Sequence, residues 1–331
     1  MRSVTDKPRT PTRTVLLATS VAGALALGLL AVTDDPGSTV HADLVNAAQE
    51  APSGWAGENG GTTGGEGGDV VTVSDADGLL SALSDSGPQV VQIDGSIELS
   101  GMNDVPADTT VIGLDGAQIT GGGLDVDGVS NVIIRNIAFS GWDDDAVNVQ
   151  EGSTKVWIDH NSFTNGYDGA VDVKRESDFV TISWNHFFDH DKTSLVGHSD
   201  DHTEDIGHLR VTYHHNYFDG TDTRHPRVRF GNPVHVYNNY YRDNDEYGVA
   251  STMGGGVLVE GNYFEDVDNP THTGYADSDV GAVEESGNVF DGSGEPETGG
   301  GTVESVPYSY SLDPAEDVPS IVGEGAGPGN L

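Results

Sequence analysis

The sequence of 331 residues contains no cysteine. This absence excludes disulfide bridges, zinc sites with cysteine ligands and thiol nucleophiles. Basic residues are also scarce, because 14 Lys and Arg stand against 54 Asp and Glu and give a formal charge of −40 at neutral pH. We do not expect so acidic a chain to bind nucleic acid through its phosphates. Any chemistry must depend on carboxylates, histidines and the few lysines and arginines.

Only four residues are lysine, at positions 7, 155, 174 and 192. An excess of acids over lysines suits concentrated salt, where self-repulsion is screened and charge maintains solubility. We interpret the composition as halophilic, and the alternative is an acidic protein from ordinary salt. The 46 glycines indicate many tight turns, while 35% hydrophobic residues suffice for a core. These features favour a β-rich domain.

Residues 1–42 are interpreted as an export signal, because four basic residues precede an apolar stretch over residues 15–32. The alternative is an uncleaved N-terminal membrane anchor, since the apolar stretch is close to the minimum length of a membrane span. Residues 43–68 are rich in Gly and Thr and are predicted to form a flexible linker. The folded domain is assigned to residues 69–331. We therefore expect a secreted monomer without stable membrane insertion once the signal is removed.

An internal repeat is the strongest structural signal in the chain. Its units end in an aromatic residue, with spacings of 24, 24, 31, 23, 23 and 26 residues, at Phe139, Phe163, Phe187, Phe218, Tyr241, Phe264 and Phe290. A valine precedes every one of these aromatics by seven residues, and an asparagine precedes six of them by two. Asparagines at equivalent bends can hydrogen-bond to their copies in the next turn.

A strand-bearing unit of this length, repeated without intervening helices, is typical of a solenoid. We predict an all-β fold, a right-handed parallel β-helix with a short N-terminal helix near residues 75–86 and an extended C-terminal segment. A β-sandwich would not hold one register over so many repeats. The 31-residue unit contains an insertion of about seven residues, and insertions in solenoids are commonly loops on the working face.

Four charged residues follow the repeated aromatics by five or six positions and are predicted to form one column. They are Asp145, Asp168, Lys192 and Arg224. Asp143, Asp172, Lys174 and Arg229 flank this column. The surface therefore grades from carboxylates to cations, over a length that several sugar units could span.

The aspartates alone could be a solvated acidic turn in so acidic a protein. Stacked carboxylates, however, repel one another, and clustered oxygen ligands suit Ca²⁺ better than transition metals. We expect no basic side chain among the carboxylates themselves. Eight of the ten basic residues beyond the signal lie between Lys174 and Arg242, which favours an anionic ligand over structural ion pairs. Zinc is not favoured, because His198 and His202 lie in a Gly- and Asp-rich segment.

Several segments, in the right order, resemble polysaccharide lyase family 1, the pectate lyases. These are Val156-Trp-Ile-Asp-His160, Asp168-Gly-Ala-Val-Asp-Val-Lys174, His190-Asp-Lys-Thr-Ser-Leu-Val-Gly-His-Ser-Asp200 and Arg224-His-Pro-Arg-Val-Arg-Phe-Gly231. The resemblance extends from about residue 70 to the C-terminus. It implies that Asp145, Asp168 and Asp172 are Ca²⁺ ligands, with Asp143 as an accessory. It also implies that Arg224 is the catalytic base, and that Lys192 and Arg229 hold substrate carboxylates.

The resemblance implies a secreted, calcium-dependent enzyme that cleaves polygalacturonate (pectate) by β-elimination to unsaturated oligogalacturonates. Retention of the calcium aspartates favours the unesterified polymer over methylated pectin. Two other functions remain open. One is a β-helical polygalacturonase-type hydrolase that uses paired carboxylates. The other is a non-catalytic polysaccharide-binding surface protein.

Overall fold

The structure is a computed structural model, and it describes residues 51–331. Parallel strands form three sheets that run along a single solenoid. The all-β, parallel β-helix prediction is confirmed. The predicted export signal over residues 1–42, and residues 43–50 of the predicted linker, lie outside the described residues. Within the described residues, no helix combines the length and apolar character needed to cross a bilayer.

The first sheet, here the long sheet, has ten strands. They are Asp69–Val73, Gln89–Ile93, Thr109–Gly113, Ser130–Arg135, Thr154–Asp159, Asp178–Ser183, Val211–His214, Val234–Tyr237, Gly256–Glu260 and Ala282–Ser286. The repeated valines lie opposite one another across this sheet, as in the pairs Val132 with Val156 and Val156 with Val180. The alternation in the sequence therefore corresponds to one buried face of the long sheet.

The second sheet, here the aromatic sheet, has nine strands. They are Ser96–Glu98, Gln118–Thr120, Ala138–Ser140, Ser162–Thr164, His186–Phe188, Tyr217–Asp219, Tyr240–Arg242, Tyr263–Glu265 and Val289–Asp291. The repeated aromatics occupy its middle row, and their rings stack with centroid separations of 4.4 to 5.3 Å. This stack fills the interior of the solenoid along much of its length.

The third sheet, here the site sheet, has eight strands. They are Met102–Asp104, Gly123–Asp127, Val147–Gln150, Val171–Val173, Leu195–Val196, Arg227–Arg229, Val249–Thr252 and Thr271–His272. Neighbouring strands of this sheet are paired in parallel along its whole length. Consequently residues on successive turns lie side by side, which brings charged groups far apart in sequence onto one face.

The predicted asparagines form a continuous row, the asparagine ladder, which consists of Asn161, Asn185, Asn216, Asn239, Asn262 and Asn288. In each step the side-chain amide donates to the Oδ1 of the next asparagine at 2.9 to 3.1 Å. The backbone N–H of each of the first five asparagines donates to the same oxygen. The ladder therefore satisfies buried polar groups at every bend it occupies.

Two α-helices and three 3₁₀ segments accompany the strands. The helices are Ala76–Leu83 and Val318–Gly325, and the 3₁₀ segments are Gly54–Gly57, Thr203–Asp205 and Ala315–Asp317. The predicted N-terminal helix is confirmed, and the Asp75 carboxylate caps it by accepting the Gly78 N–H at 2.8 Å. The C-terminal segment differs from the extended form expected. It ends in a helix because Val318 and Val322 bury their side chains against Tyr217 and Tyr240.

Residues 51–68 pack against the long sheet, so the flexible linker prediction does not hold for them. The backbone N–H groups of Trp55 and Ala56 donate to hydroxyls of Thr212 and Thr181, both at 3.0 Å. A Cβ added at Gly65 would lie 1.8 Å from the Gln89 carbonyl oxygen. Glycine is needed there for close approach of two backbones, not for flexibility. A glycine-rich composition cannot distinguish these two uses.

Candidate active site

Rigid packing positions the turn that carries Asp168. The indole N–H of Trp142 donates to the Asp168 carbonyl at 3.3 Å, and His190 Nε2 contacts the same oxygen at 2.8 Å. A Cβ at Gly166 would lie 1.7 Å from the Trp142 ring, so only glycine fits there. The aromatic ring, the histidine and the glycine together hold Asp168 in the turn that precedes the strand Val171–Val173 of the site sheet.

Asp145 and Asp172 are buried carboxylates on adjacent turns, with 5% and 3% of their surface exposed. Burial, followed by the charge of Asp145, raises the pKa of Asp172 to about 7. Burial also raises the pKa of Asp145, against the opposing attraction of Lys174. Two like charges held out of water each disfavour the ionised form of the other. This pair is therefore short of positive charge.

Lys174 lies among these carboxylates, which corrects the expectation that they have no basic neighbour. Its Nζ is 3.0 Å from Asp145 Oδ2 and 4.0 Å from Asp172 Oδ2. Burial acts to lower the pKa of Lys174, but attraction to the two aspartates outweighs it and the pKa rises. The spacing could have indicated this contact, because Lys174 follows Asp172 by two residues and continues the strand register through its backbone N–H, which donates to the Val149 carbonyl at 2.9 Å. Residues two apart on a strand lie on the same face.

The Asp168 carboxylate joins both predicted cations of the column. Its Oδ1 lies 3.2 Å from Lys192 Nζ and 3.4 Å from Arg224 Nη1. The strand register pairs Lys192 with Thr223 instead of Arg224, so the column is offset by one residue. The side chains nevertheless converge on Asp168. We call Asp145, Asp168, Asp172, Lys174, Lys192 and Arg224 the site cluster.

The backbone of Arg224 is in the left-handed region, with φ +67°. This conformation is uncommon for a residue with a side chain and is held only where the surroundings impose it. The Arg224 carbonyl accepts the Ser194 N–H at 2.6 Å, and the side chain is 22% exposed. The guanidinium is therefore fixed by its neighbours while part of it faces solvent.

Arg229 and Asp143 lie outside the site cluster, at its two sides. Arg229 Nε donates to Asp200 Oδ1 at 2.6 Å. Both oxygens of Asp143 accept the Gly101 N–H at 3.1 Å, and Asp143 is exposed. The structure therefore brings together Asp145, Asp168 and Asp172, and it gives Asp143 a backbone partner at the acidic end of the face.

The residues present fit an oxygen-liganded divalent cation. Asp168 is paired with Lys192 and Arg224, but the two buried carboxylates of Asp145 and Asp172 share the single ammonium group of Lys174, which leaves negative charge uncompensated between them. Asn148 pairs with Asp172 across the sheet, and its buried Oδ1 has no partner among the described residues. Carboxylate and amide oxygens are the donors that Ca²⁺ prefers. Asp145, Asp168 and Asp172 would hold such an ion.

Sequence reasoning missed Asp125, which lies beside Asn148 on the preceding turn. Burial raises the pKa of Asp125 to about 6, and Gln150 opposes this by donating to it at 2.9 Å. The strand register could have found this residue, because Asp125 precedes Asn148 by 23 positions. It extends the acidic end of the site sheet by one turn.

A second group of possible metal ligands contains Glu176, His202 and Asp205, whose ligand atoms lie within 4.8 Å of one another. Both oxygens of Asp205 already accept backbone N–H groups, from Glu176 at 2.8 Å and from His198 at 2.9 Å. These bonds give Asp205 a structural role in closing the inserted loop. The sequence does not favour zinc at His202. In the structure Asp205, the most buried residue of this group, has hydrogen-bond partners for both carboxylate oxygens without a metal.

The chain is similar to known proteins in both its sequence and its fold. A family model described as pectate lyase matches residues 13–331. A pectate trisaccharide-lyase of Thermotoga maritima is 42% identical over 318 residues, which cover 82% of this chain and 85% of that relative. A pectate trisaccharide-lyase of Bacillus licheniformis is 35% identical over 334 residues, covering 94% and 96%.

The fold is also similar to a crystal structure of a pectate lyase from Bacillus sp. N165 in complex with trigalacturonate. The TM-score is 0.78 at 30% sequence identity, and the match covers 84% of this chain and 99% of that one. The similarity therefore spans nearly the whole of a solved structure with the same solenoid.

Proposed function

The chain belongs to the pectate lyase family and is a polysaccharide lyase; from that premise we propose that it cleaves unesterified polygalacturonate by calcium-dependent β-elimination. The observation that carries the proposal is the convergence of Lys192 and Arg224 on Asp168, at 3.2 and 3.4 Å, beside the buried pair Asp145 and Asp172. Carboxylates for an ion and cations for an anionic polymer thus meet on one face of the solenoid.

In the proposed reaction Arg224 first gives up one guanidinium proton to water, and the freed nitrogen then takes the proton from C5 of a galacturonate residue. The electron pair of that C–H bond forms the C4–C5 double bond, and the bond from C4 to the glycosidic oxygen breaks. The leaving oxygen takes a proton from water, and the new chain end is an unsaturated uronate. Lys192 and Arg229 hold substrate carboxylates, and Lys192, which lies beside Arg224 on Asp168, stabilises the negative charge that develops during proton removal.

Calcium held by Asp145, Asp168 and Asp172, with Asp143 as an accessory, would withdraw charge from the substrate carboxylate and make the C5 proton more acidic. Asp168 has a second part in this scheme. It anchors Lys192 and Arg224 before substrate arrives, so that neither side chain must search for its position.

We further propose that residues 1–42 direct export and that the mature enzyme acts outside the cell as a monomer. The support is the basic start and apolar stretch over residues 15–32. Mass analysis of the protein recovered from culture medium tests this directly. A shortened N-terminus in the medium supports export with cleavage, and full-length protein retained on membranes supports the anchor.

The decisive experiment is digestion of polygalacturonate followed by ultraviolet absorbance of the products. β-Elimination creates an absorbing unsaturated end, whereas hydrolysis by paired carboxylates creates none. New reducing ends without absorbance would support the polygalacturonase-type hydrolase, and no products at all would support a binding protein. Chain lengths in the same digest show whether trisaccharides accumulate, as the names of the two relatives suggest.

A further inference from the structure

The insertion in the 31-residue unit forms a loop that is fastened at both ends. At its start, a Cβ on Gly197 would lie 2.7 Å from the Arg229 carbonyl oxygen and 2.8 Å from the Arg229 Cβ. At its end, Asp205 is fully buried and accepts the N–H groups of Glu176 and His198. The loop therefore rests directly against Arg229, a residue of a later turn.

Asp200, in the middle of this loop, joins three elements of the solenoid. Its Oδ1 accepts from Arg229 Nε at 2.6 Å, and its Oδ2 accepts from the Ser278 hydroxyl at 2.7 Å. The Ser278 oxygen in turn accepts from Arg227 Nη2 at 2.7 Å. Both carboxylate oxygens are thus engaged, and Asp200 cannot turn away from Arg229 without breaking a second bond.

Arg229 is left with unused donors after this contact. Only its Nε is bound by Asp200, its side chain is 12% exposed, and its Nη1 has no partner among the described residues. A guanidinium binds a carboxylate best through a planar pair of N–H groups. Fixing the Nε side determines the direction in which the Nη groups point.

We propose that Asp200 is a positioning residue, which orients the Arg229 guanidinium for a uronate carboxylate of the substrate. This inference rests on the proposed function, because it assigns Arg229 to substrate binding. Asp200 also places a negative charge near that carboxylate, which opposes binding. That repulsion acts at a partly exposed group and is screened by solvent and salt. The ordering of a long side chain before binding is the larger effect.

The test is steady-state kinetics on polygalacturonate at saturating calcium, with four single variants and one double variant. Asp200→Ala should raise KM about tenfold, which corresponds to the ordering of one long side chain. The same variant should leave kcat within about twofold, because binding is lost without a change in the reacting groups. Asp200→Asn should lie between, since an amide oxygen can still accept from Nε. Asp201→Asn, at the exposed neighbour on the same loop, should match the wild type.

A purely structural role is separated by the double variant Asp200→Ala with Arg229→Lys. If Asp200 acts through Arg229, the double variant should lose no more than Arg229→Lys alone. Additive losses, or an unchanged KM in Asp200→Ala, would overturn the proposal. Should Asp200→Ala lower the unfolding temperature, Ser278→Ala replaces it, and an unchanged KM there overturns the proposal equally. A wild type without unsaturated products would refute the proposed function, and this inference with it.

Discussion

The asparagine ladder and the site cluster both stack polar side chains along the solenoid, but only the ladder pairs every group with its neighbour. Ladder amides donate to one another at 2.9 to 3.1 Å without any net charge. The site cluster instead crowds Asp145 against Asp172 and raises the pKa of both carboxylates. A row of identical asparagines, which hydrogen-bond to one another, stabilises the fold. The different charged residues of the site cluster do not satisfy one another fully and can therefore bind an ion or a substrate.

The largest expected effect is the loss of activity when calcium is removed, because the site cluster is incomplete by itself. Exhaustive chelation of the wild type should lower the rate of unsaturated product formation by about 10³-fold or more. Asp168→Asn should raise the calcium concentration needed for half-maximal activity. The matched control is Asp144→Asn, at an exposed neighbour of Asp145, which should keep the wild-type requirement. Undiminished activity after chelation would show the calcium assignment to be wrong.

Replacing Arg224 should lower activity and leave the stability of the fold unchanged. Replacing a ladder asparagine should have the opposite effect. Arg224→Lys keeps the charge but shortens the reach and removes the planar fork. If Arg224 takes the C5 proton, kcat should fall by about 10²-fold or more with KM little changed. Arg175→Lys, at a partly exposed ion pair with Glu151, is the control and should retain activity. A near-normal kcat in Arg224→Lys would remove Arg224 from the role of base.

A buried histidine behind the site should make folding acid-sensitive, whereas ladder amides do not titrate. Burial lowers the pKa of His225 to about 4, and its ring contacts the Tyr247 carbonyl and the Thr221 hydroxyl. Between pH 4 and about 6.5 the unfolded chain therefore binds more protons at this histidine than the folded chain does. The folding stability that depends on a neutral His225 is fully present above pH 6.5 and is lost as the pH falls toward 4. The contribution is about 3 kcal/mol.

Urea unfolding at several pH values measures this contribution. His225→Gln should flatten the fall in unfolding free energy between pH 6.5 and 4 relative to the wild type. Asn216→Ala should keep the wild-type slope, because it removes no titrating group. Parallel curves for the wild type and His225→Gln would count against a neutral buried histidine.

Breaking the ladder should cost stability and leave chemistry intact. Asn216→Ala orphans two buried donors of Asn185, which reach the Asn216 oxygen at 3.0 and 3.1 Å. The expected loss of unfolding free energy is about 2 kcal/mol. Asn288→Ala, at the partly exposed end of the ladder, should cost less. Equal losses at the two positions would mean that burial does not determine the cost, and a fall in kcat would tie the ladder to the site.

The sequence predicts the ladder better than the site for a physical reason. Each ladder asparagine bonds to an asparagine at the equivalent position of the next turn. Identical residues such as Asn185 and Asn216 therefore indicate the strand register directly in the sequence. The site depends on turns, where an offset of one residue pairs Lys192 with Thr223 and the local path of the chain decides which side chains reach Asp168. Spacing alone does not encode these paths. Likewise, the packing of Trp55 on Thr212 depends on a surface that only the folded sheet provides.

A change in salt concentration should produce the smallest difference between variants. It distinguishes the repulsion among charged groups, which salt screens, from the hydrogen bonds of the ladder, which salt does not screen. With a formal charge of −40, self-repulsion extends over about 30 Å at 0.01 M salt and about 3 Å at 1 M. The unfolding temperature of the wild type should therefore rise from low to molar potassium chloride. The stability difference between the wild type and Asn216→Ala should stay constant within about 0.5 kcal/mol, since neutral hydrogen bonds are not screened. A flat curve for the wild type would contradict the halophilic interpretation while leaving the enzyme assignment intact, because the site cluster acts at contact distances where screening by salt is weakest.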